Sequence, residues 1–323
     1  MDWTGLAVWN GLYVRGVNVL GSDGDPFDRI EVYNPDGTLN KSISIDLNPR
    51  AGVTVIGDIV YTIGPDHVKR SGAERQWCHG FNLNTGARVS RWEFKRFFDS
   101  DQKKIAVGTD GTNLLTAGVT PSAVLNVMRY NPATGAQIGS DLSTAFDARW
   151  APDIFGVAEY EGKIYVSPRQ IVRRYSVSGS SLKLDRFAWE NPSGNAGGMT
   201  FVDGRPIVAD SGSIYSGSGY TSDTTIQSCY TWFDGSRETE PSPIATISFE
   251  AYETVTASLA KRSGYQKRVY YREGTSGSWR QLVAGANVTA IRWDATPSAP
   301  IAELPTESTF PASTPAADRK SVV

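Results

Sequence analysis

Short segments of alternating apolar and polar residues recur along the first 220 residues of the chain, and tight turns join them in pairs. One phrase, an apolar strand, a turn with Gly and a second apolar strand, occurs five times, beginning at Leu6, Val53, Ile105, Val157 and Met199. Turns such as Asn10-Gly11 and Asp203-Gly204 favour β-hairpins, because both central residues must tolerate positive φ. The pattern therefore predicts a series of hairpins.

A second phrase recurs at the same period and doubles the number of hairpins. It consists of an aromatic residue, then Asn or Ser, then a turn that ends in Gly. Its aromatic residues are Tyr33, Phe81, Tyr130 and Tyr175, which are separated by 48, 49 and 45 residues. Each unit of about 47 residues thus holds four strands, the size expected of one propeller blade.

A single four-stranded sheet cannot bury both of its faces, and radial packing of such sheets solves this problem. The chain is therefore predicted to be mainly β, with a β-propeller of about five blades over residues 1–220. Four or six blades are alternatives, since the final strand could come from the N-terminus or from a neighbouring chain. The phrase from Arg29 to Gly37 resembles the strand and turn of NHL-type propellers, which implies the fold and no catalytic residue.

The pattern changes beyond residue 220. Alternating strands with turn signals about every 8–12 residues predict a small β-sandwich over residues 221–296. Two of its phrases, from Trp232 to Pro243 and from Arg268 to Trp279, resemble fibronectin type III-like modules. Residues 297–323 hold five prolines among Ser, Thr and Ala, which predicts an extended C-terminal arm and not a packed domain.

The charge balance argues against a nucleic-acid partner. The 323 residues include 32 Lys and Arg against 34 Asp and Glu, for a formal net charge of -2, whereas a polyanion-binding domain usually carries a basic excess. No segment approaches the about 20 apolar residues of a membrane helix, and the N-terminus lacks the basic and apolar regions of a secretion signal. We therefore expect no membrane span and no secretion signal.

Candidate catalytic groups are few. The histidines are His67 and His79, and the cysteines are Cys78 and Cys229. Cys78 and His79 are neighbours on a predicted strand, so their side chains should face opposite sides and not form a catalytic dyad. We expect reduced, structural cysteines, no cofactor and no enzymatic activity. Two glycosidase carboxylates contributed by separate loops stay an open alternative.

Two groups of residues are candidate binding sites. Asp23, Asp25 and Asp28 lie in one loop and could bind Ca²⁺, although Phe27 stands where an EF-hand needs a ligand; a solvated turn is the alternative. A platform for a sugar or a partner could be formed by four tryptophans, Trp77, Trp92, Trp150 and Trp189. The alternative is that these tryptophans fill the core between blades.

The combination of a propeller, a fibronectin-like module and a Pro-rich arm resembles tail proteins of tailed bacteriophages. The phrases from Trp232 to Pro243 and from Val269 to Trp279 carry this resemblance, which implies a minor tail or tail-tip protein. Its partners would be other tail subunits, in a homo-oligomer or symmetric assembly, and a host-surface glycan. It would be assembled in the host cytoplasm and located in the virion tail. A carbohydrate-binding or carbohydrate-cleaving propeller and a cellular interaction propeller are the alternatives.

Overall fold

The computed structural model describes residues 2–18, 28–47, 49, 51–65, 76–94, 105–146, 153–168, 171–190, 198–202, 205–210, 213–216, 222–251, 255–258, 264–285 and 290–293. These residues form strands and turns and contain no helix. In particular, no helix with the length and apolar character of a membrane span occurs among them. The chain divides into two compact units, Met1–Gly217 and Ser218–Val323.

The first unit consists of five successive antiparallel sheets, the blades. Blade 1 comprises β1 (Asp2–Trp9), β2 (Leu12–Asn18), β3 (Arg29–Tyr33) and β4 (Leu39–Ser44). Blade 2 comprises β5 (Val53–Ile56), β6 (Ile59–Pro65), β7 (Gln76–Asn82) and β8 (Arg88–Phe94). Blade 3 comprises β9 (Ala106–Thr109), β10 (Leu114–Val119), β11 (Val124–Tyr130) and β12 (Gln137–Ala145).

Blade 4 repeats this arrangement and blade 5 is smaller. Blade 4 comprises β13 (Gly156–Tyr160), β14 (Lys163–Ser167), β15 (Ile171–Ser178) and β16 (Ser181–Glu190). Among the described residues, blade 5 has three strands, β17 (Gly198–Val202), β18 (Arg205–Asp210) and β19 (Ser213–Ser216). Strands that are consecutive in sequence are neighbours in every blade, and one further bridge between Ser143 and Ser181 joins blades 3 and 4.

The first strands of the blades form a closed ring. β1 lies against β5, β5 against β9, β9 against β13, β13 against β17, and β17 returns to β1. This closure defines a five-bladed β-propeller and confirms the fold predicted from the repeat. Because every blade covers one face of the next, each four-stranded sheet buries the apolar residues on both of its faces.

Glycine allows the first strands to approach one another closely. A Cβ added to Gly5 would lie 2.2 Å from the backbone N of Val53, and one added to Gly198 would lie 2.3 Å from the backbone N of Leu6. Between blades 2 and 3 the backbone N of Val107 donates a hydrogen bond to the carbonyl of Ala51 at 2.9 Å. The ring is therefore held by backbone contact, which a side chain at Gly5 would disrupt.

The core lies in the contacts between consecutive blades, which we call seams. The seam between blades 3 and 4 buries the largest described cluster, including Leu115, Val127, Phe146, Val157 and Tyr175. The seam between blades 5 and 1 is the smallest, with Leu6 and Ile207 buried and Tyr13 and Val202 packed against them. Burial is thus unequal around the ring.

The turn between the third and fourth strands has the same construction in blades 2 and 3. Oδ1 of Asn82 accepts hydrogen bonds from the backbone N of Asn84 and Thr85, at 2.9 and 3.0 Å. Asn131 holds its turn in the same way, and each turn ends at a glycine with positive φ, Gly86 or Gly135. An Asn side chain that bonds the backbone two residues on stabilises such turns locally, which is why the phrase is visible in the sequence.

The second unit contains two antiparallel sheets. Its strands are β20 (Thr224–Phe233), β21 (Ala245–Phe249), β22 (Val255–Ser258), β23 (Gln266–Glu273), β24 (Arg280–Gly285) and β25 (Ala290–Trp293). One sheet has the order β21-β20-β23-β24, and β22 pairs with β25 in the other. The fibronectin type III likeness and the limits 221–296 stay predictions, and the arm over 297–323 lies outside the described residues.

Candidate functional site

In each blade the first strand begins and the second strand ends at one end of the propeller, which we call the loop face. The strands that end or begin there are separated by the longest intervals of sequence, residues 19–28, 66–75, 95–105 and 146–155, whereas the turns at the opposite end are short. Since functional residues concentrate in loops that a rigid scaffold positions, the loop face is the candidate functional site.

Several of the candidate residues belong to this face. Trp77 is the second residue of β7 and Trp189 is next to last in β16, so both backbone positions lie at the loop-face ends of their strands. Asp28 precedes β3 and is 1% exposed, and its carbonyl accepts a hydrogen bond from the backbone N of Ile45. The remaining candidates, Asp23, Asp25 and Trp150, lie outside the described residues, as does His67, and the side chain of Trp189 does too. The calcium and platform hypotheses therefore stay predictions.

Trp92 occupies the seam between blades 2 and 3. It is 8% exposed, and its Nε1 donates a hydrogen bond to the carbonyl of Pro132 at 3.0 Å. A Cβ on Gly135 would lie 2.4 Å from the indole ring, and the ring of Tyr130 packs 5.8 Å away, centre to centre. A sugar cannot reach this ring in the structure, and Trp92 instead fills the core between two blades.

Trp77 is half-buried and faces the opposite side of blade 2, toward blade 1. The guanidinium of Arg91 lies 4.1 Å from the centre of its ring, a distance at which the cation attracts the aromatic face. His79 lies on the same face, two residues along β7, and is fully buried. Trp77 and Arg91 are therefore accessible on this face, whereas the imidazole of His79 is out of reach of a substrate.

The buried imidazole lies beside a carboxylate. Nδ1 of His79 is 3.1 Å from Oδ1 of Asp46, and Oδ2 of the same carboxylate accepts a hydrogen bond from Arg88 at 2.6 Å. Burial lowers the pKa of His79, and the nearby Asp46 carboxylate offsets only part of that effect. The imidazole is thus held neutral at physiological pH, and its burial suits a structural role.

Cys78 and His79 face opposite sides of the strand, as expected. Cys78 packs with Tyr61 and Ile63 in the seam between blades 2 and 3, whereas His79 lies 6.0 Å from Phe81 on the other side. Burial raises the pKa of the Cys78 thiol well above its ordinary value. This thiol is therefore protonated and inert, and the pair is not a catalytic dyad.

Two polar clusters escaped the sequence analysis. On blade 1, the buried carboxylate of Glu31 accepts hydrogen bonds from Arg15 at 2.6 Å, from Arg29 at 2.6 Å and from Tyr33 at 2.5 Å. Although burial would raise the pKa of Glu31, these three donors together hold it below its ordinary value. The available signal was a charged residue inside each of two apolar strands, Arg15 in β2 and Glu31 in β3.

The second cluster lies on blade 4. Asp185 accepts a hydrogen bond from Arg174 at 2.9 Å and from the hydroxyl of Ser176 at 2.5 Å, and Lys163 lies 3.4 Å away. Burial opposes the ionised form, but these partners lower the pKa of Asp185. Each carboxylate is already saturated with donors, so neither cluster has the arrangement of a general acid and base pair.

The segment from Trp232 to Pro243, which carries part of the resemblance to tail proteins, makes several hydrogen bonds within the second unit. Glu238 accepts hydrogen bonds from the hydroxyls of Thr231 and Tyr270 and from Arg268, the last at 2.7 Å. Thr239 and Ser242 continue this segment along β20, where their hydroxyls accept hydrogen bonds from backbone N atoms at 3.0 and 3.1 Å. This part of the phrase therefore lies beside the second half of β20, beyond the residues that pair with β21.

The described residues contain no cluster of three or more His, Cys, Asp or Glu side chains that could hold a metal ion. No known protein family matches the sequence. No curated protein matches it either.

Comparison with solved structures gives distant similarities. The chain is similar to the WD40 β-propeller domain of Doa1, with 12% identity and a TM-score of 0.36 over 65% of this chain and 61% of that one. It is similar to a xylan β-1,4-xylosidase from Bacillus halodurans, with 8% identity and a TM-score of 0.43 over 90% of this chain and 94% of that one. It is also similar to a Trypanosoma rangeli sialidase, with 11% identity and a TM-score of 0.37 over 88% of this chain and 54% of that one. At these levels the likenesses carry no activity over to this chain, and the propeller assignment rests on the strand pairing described above.

Proposed function

We propose that this chain is a structural protein of a bacteriophage tail, a minor tail or tail-tip protein whose rigid propeller holds neighbouring subunits and contacts the host surface. The observation that carries the proposal is an apolar rim on the propeller. The rim consists of one exposed aliphatic residue on the fourth strand of each of blades 1 to 4: Leu39, Val89, Ile138 and Leu184, which are 53%, 51%, 39% and 47% exposed.

The rim repeats with the blades. In each of these four blades the pairing of the third and fourth strands contains a β-bulge, and the rim residue lies at or beside it. A bulge re-aims a side chain and interrupts the edge of the sheet. A single exposed aliphatic residue is ordinary, and it is the recurrence of such a residue beside the bulge in four successive blades that supports a surface contacting other proteins.

The construction of the ring also supports a scaffold role. Its seams are held by backbone approach at the first strands and by side-chain hydrogen bonds farther out, such as that from Nε1 of Trp92 to the carbonyl of Pro132 at 3.0 Å. A disk built in this way presents a fixed spacing between its rim residues. Several weak contacts at fixed spacing reinforce one another when they engage a common partner.

The test locates the protein in particles released by the producing culture. Immunogold electron microscopy with an antibody to this chain should label one end of the tail, and label absent from particles would contradict the proposal. The rim is tested in the same particles with Val89→Asp, which should lower incorporation, and with Val89→Thr as the matched control. Because Val89 is half exposed, both variants should fold with a stability change within about 0.5 kcal/mol.

A carbohydrate-binding or carbohydrate-cleaving propeller is the second candidate. It is favoured by the half-buried Trp77, which lies with Arg91 near the loop face, where a sugar ring and a polar group could be bound together. Binding to a glycan array that is lost in Trp77→Ala would support this alternative. The matched control is Trp279→Ala, which removes a similar pair in the second unit, where Arg272 lies 4.8 Å from the ring.

A further inference from the structure

Blade 5 has one strand fewer than the other blades in the described part of the chain. Its sheet has the order β17-β18-β19, whereas blades 1 to 4 each continue to a fourth strand. β19 is therefore an edge strand whose only described neighbour is β18. An edge strand presents backbone N–H and C=O groups to which another extended segment can pair.

In the three seams that join blades 1 to 4, the fourth strand clasps the next blade. Each clasp is a hydrogen bond from the fourth strand of one blade to a carbonyl in the turn between the third and fourth strands of the next. The three clasps are Lys41 Nζ to Leu83 at 2.6 Å, Trp92 Nε1 to Pro132 at 3.0 Å, and Ser143 N to Ser180 at 3.0 Å. By this repetition, the turn of blade 1, residues 34–38, would be clasped by a fourth strand of blade 5.

The turn of blade 1 is more exposed than that of blade 3, where Pro132 is clasped by Trp92 and half-buried. Pro35 is exposed, and Tyr33 is only half-buried although its counterpart Phe81 is 4% exposed. Beside blade 1, therefore, no strand of the described part of the chain takes the place that a fourth strand fills in the three seams joining blades 1 to 4.

The two blades that flank this space carry an excess of basic groups. Tyr165 of blade 4 and Tyr13 of blade 1 pack against blade 5, so each marks the face of its blade that is turned toward blade 5. Residues that pair directly opposite one another in a sheet lie on the same face. Among the residues whose side chains the structure describes, these two faces carry Lys163, Lys183 and Arg174 with Asp185 on blade 4, and Arg15 and Arg29 with Glu31 on blade 1. The exposed Asp36 offsets only one of these charges, so an acidic segment is the complementary occupant.

We propose that the edge of β19 receives an extended, acidic segment of a neighbouring tail subunit as the fourth strand of blade 5. This inference rests on the proposed function, since it takes the partner from the tail. Backbone hydrogen bonds to β19 supply the affinity, and the basic groups of blades 1 and 4 select acidic side chains. The added strand clasps the turn of blade 1 and completes the smallest seam of the ring.

The experiment compares hydrogen exchange of the full-length chain, free and in purified particles. Peptides covering residues 205–216 should exchange at least about tenfold more slowly in particles, a change equal to about 1.4 kcal/mol of added protection. Carbodiimide treatment of the particles should couple Lys163 or Lys183 to a carboxylate of another tail subunit. Lys183→Glu should reduce this protection in particles, whereas the control Arg237→Glu in the second unit should leave it unchanged.

Three results would overturn the proposal, and they differ in what they leave standing. Equal, strong protection in the free chain would show that the same chain closes blade 5. Equal, fast exchange in particles whose tails carry immunogold label would refute the docking and leave the tail function intact. Absence of immunogold label from the tail would refute both the docking and the tail function, and microscopy detects this absence independently of hydrogen exchange.

Discussion

The contact between Trp92 and Gly135 allows a quantitative test of the seam between blades 2 and 3. In Gly135→Ala, the new Cβ would lie 2.4 Å from the indole ring, and the backbone at this position has a φ of 71°. The left-handed conformation costs an Ala about 1 kcal/mol, and overpacking of a filled core costs about 1–3 kcal/mol more. The free energy of unfolding should therefore fall by about 2–4 kcal/mol.

The corresponding turn of blade 1 is one residue shorter and lacks the indole, and its positive-φ glycine supplies a control for the conformational cost. A Cβ on Gly37 would meet no atom within 4 Å although its φ is 84°. Gly37→Ala should thus cost only the conformational part, about 1 kcal/mol. The difference between the two substitutions isolates the steric contribution of Trp92.

A double-mutant cycle tests the assignment directly. Trp92→Ala should itself cost about 3–5 kcal/mol through the cavity that it leaves. In that background Gly135→Ala should cost only about 1 kcal/mol, because the clash has been removed, so the two substitutions should couple by about 1–3 kcal/mol. Urea unfolding followed by far-UV circular dichroism measures all four proteins. If Gly135→Ala costs no more than Gly37→Ala, or if its cost is unchanged without Trp92, the indole does not occupy this seam.

Further predictions concern ionisable and nucleophilic groups. Burial lowers the pKa of His79 below its ordinary value of 6.5, so as the pH falls the unfolded state takes up a proton before the folded state does. The contribution of His79 to the free energy of unfolding should therefore be constant above pH 6.5 and fall below it. Urea midpoints measured against pH should show this decrease in the parent chain and lack it in His79→Gln. Glu238→Gln should destabilise the second unit by about 1–2 kcal/mol, since three donors lose a charged acceptor, and a thermal unfolding scan that matches the parent chain would contradict this. Burial raises the pKa of the Cys78 thiol well above its ordinary value and that of the Cys229 thiol to about 12. Iodoacetamide should therefore label neither thiol in the folded chain and both in urea. Labelling of either thiol without urea would show that it is not buried as described.

The repeat predicted much of the propeller because its signals are local. The turns at Asn82 and Asn131 are stabilised within a few residues of sequence, and each is followed by a glycine that accepts positive φ. The five hairpin phrases correspond to the first and second strands of the five blades. A glycine directly before four of these phrases, as at Gly5 and Gly198, was visible too, but its role in closing the ring depends on contacts between different blades.

The burial of the two described tryptophan candidates could not be predicted from local sequence patterns. Trp77 and Trp92 lie on adjacent strands of one blade and were equivalent in the sequence analysis. The pairing register places Trp92 opposite Cys78, on the face toward blade 3, and Trp77 opposite Glu93, on the face toward blade 1. Only the neighbouring blade, which supplies Pro132 forty residues farther along the chain, makes one of them core and leaves the other accessible.

By itself, the sequence determined the strands, their turns and the blade repeat, because alternation and turn chemistry act between residues that are close along the chain. The tertiary structure decided how the ring closes, which faces are covered and where charge collects. Arg15 and Glu31 are far apart in sequence and meet because β2 and β3 pair, on a face that the smallest blade adjoins. Such contacts depend on register and on the neighbouring blade, which no local pattern specifies.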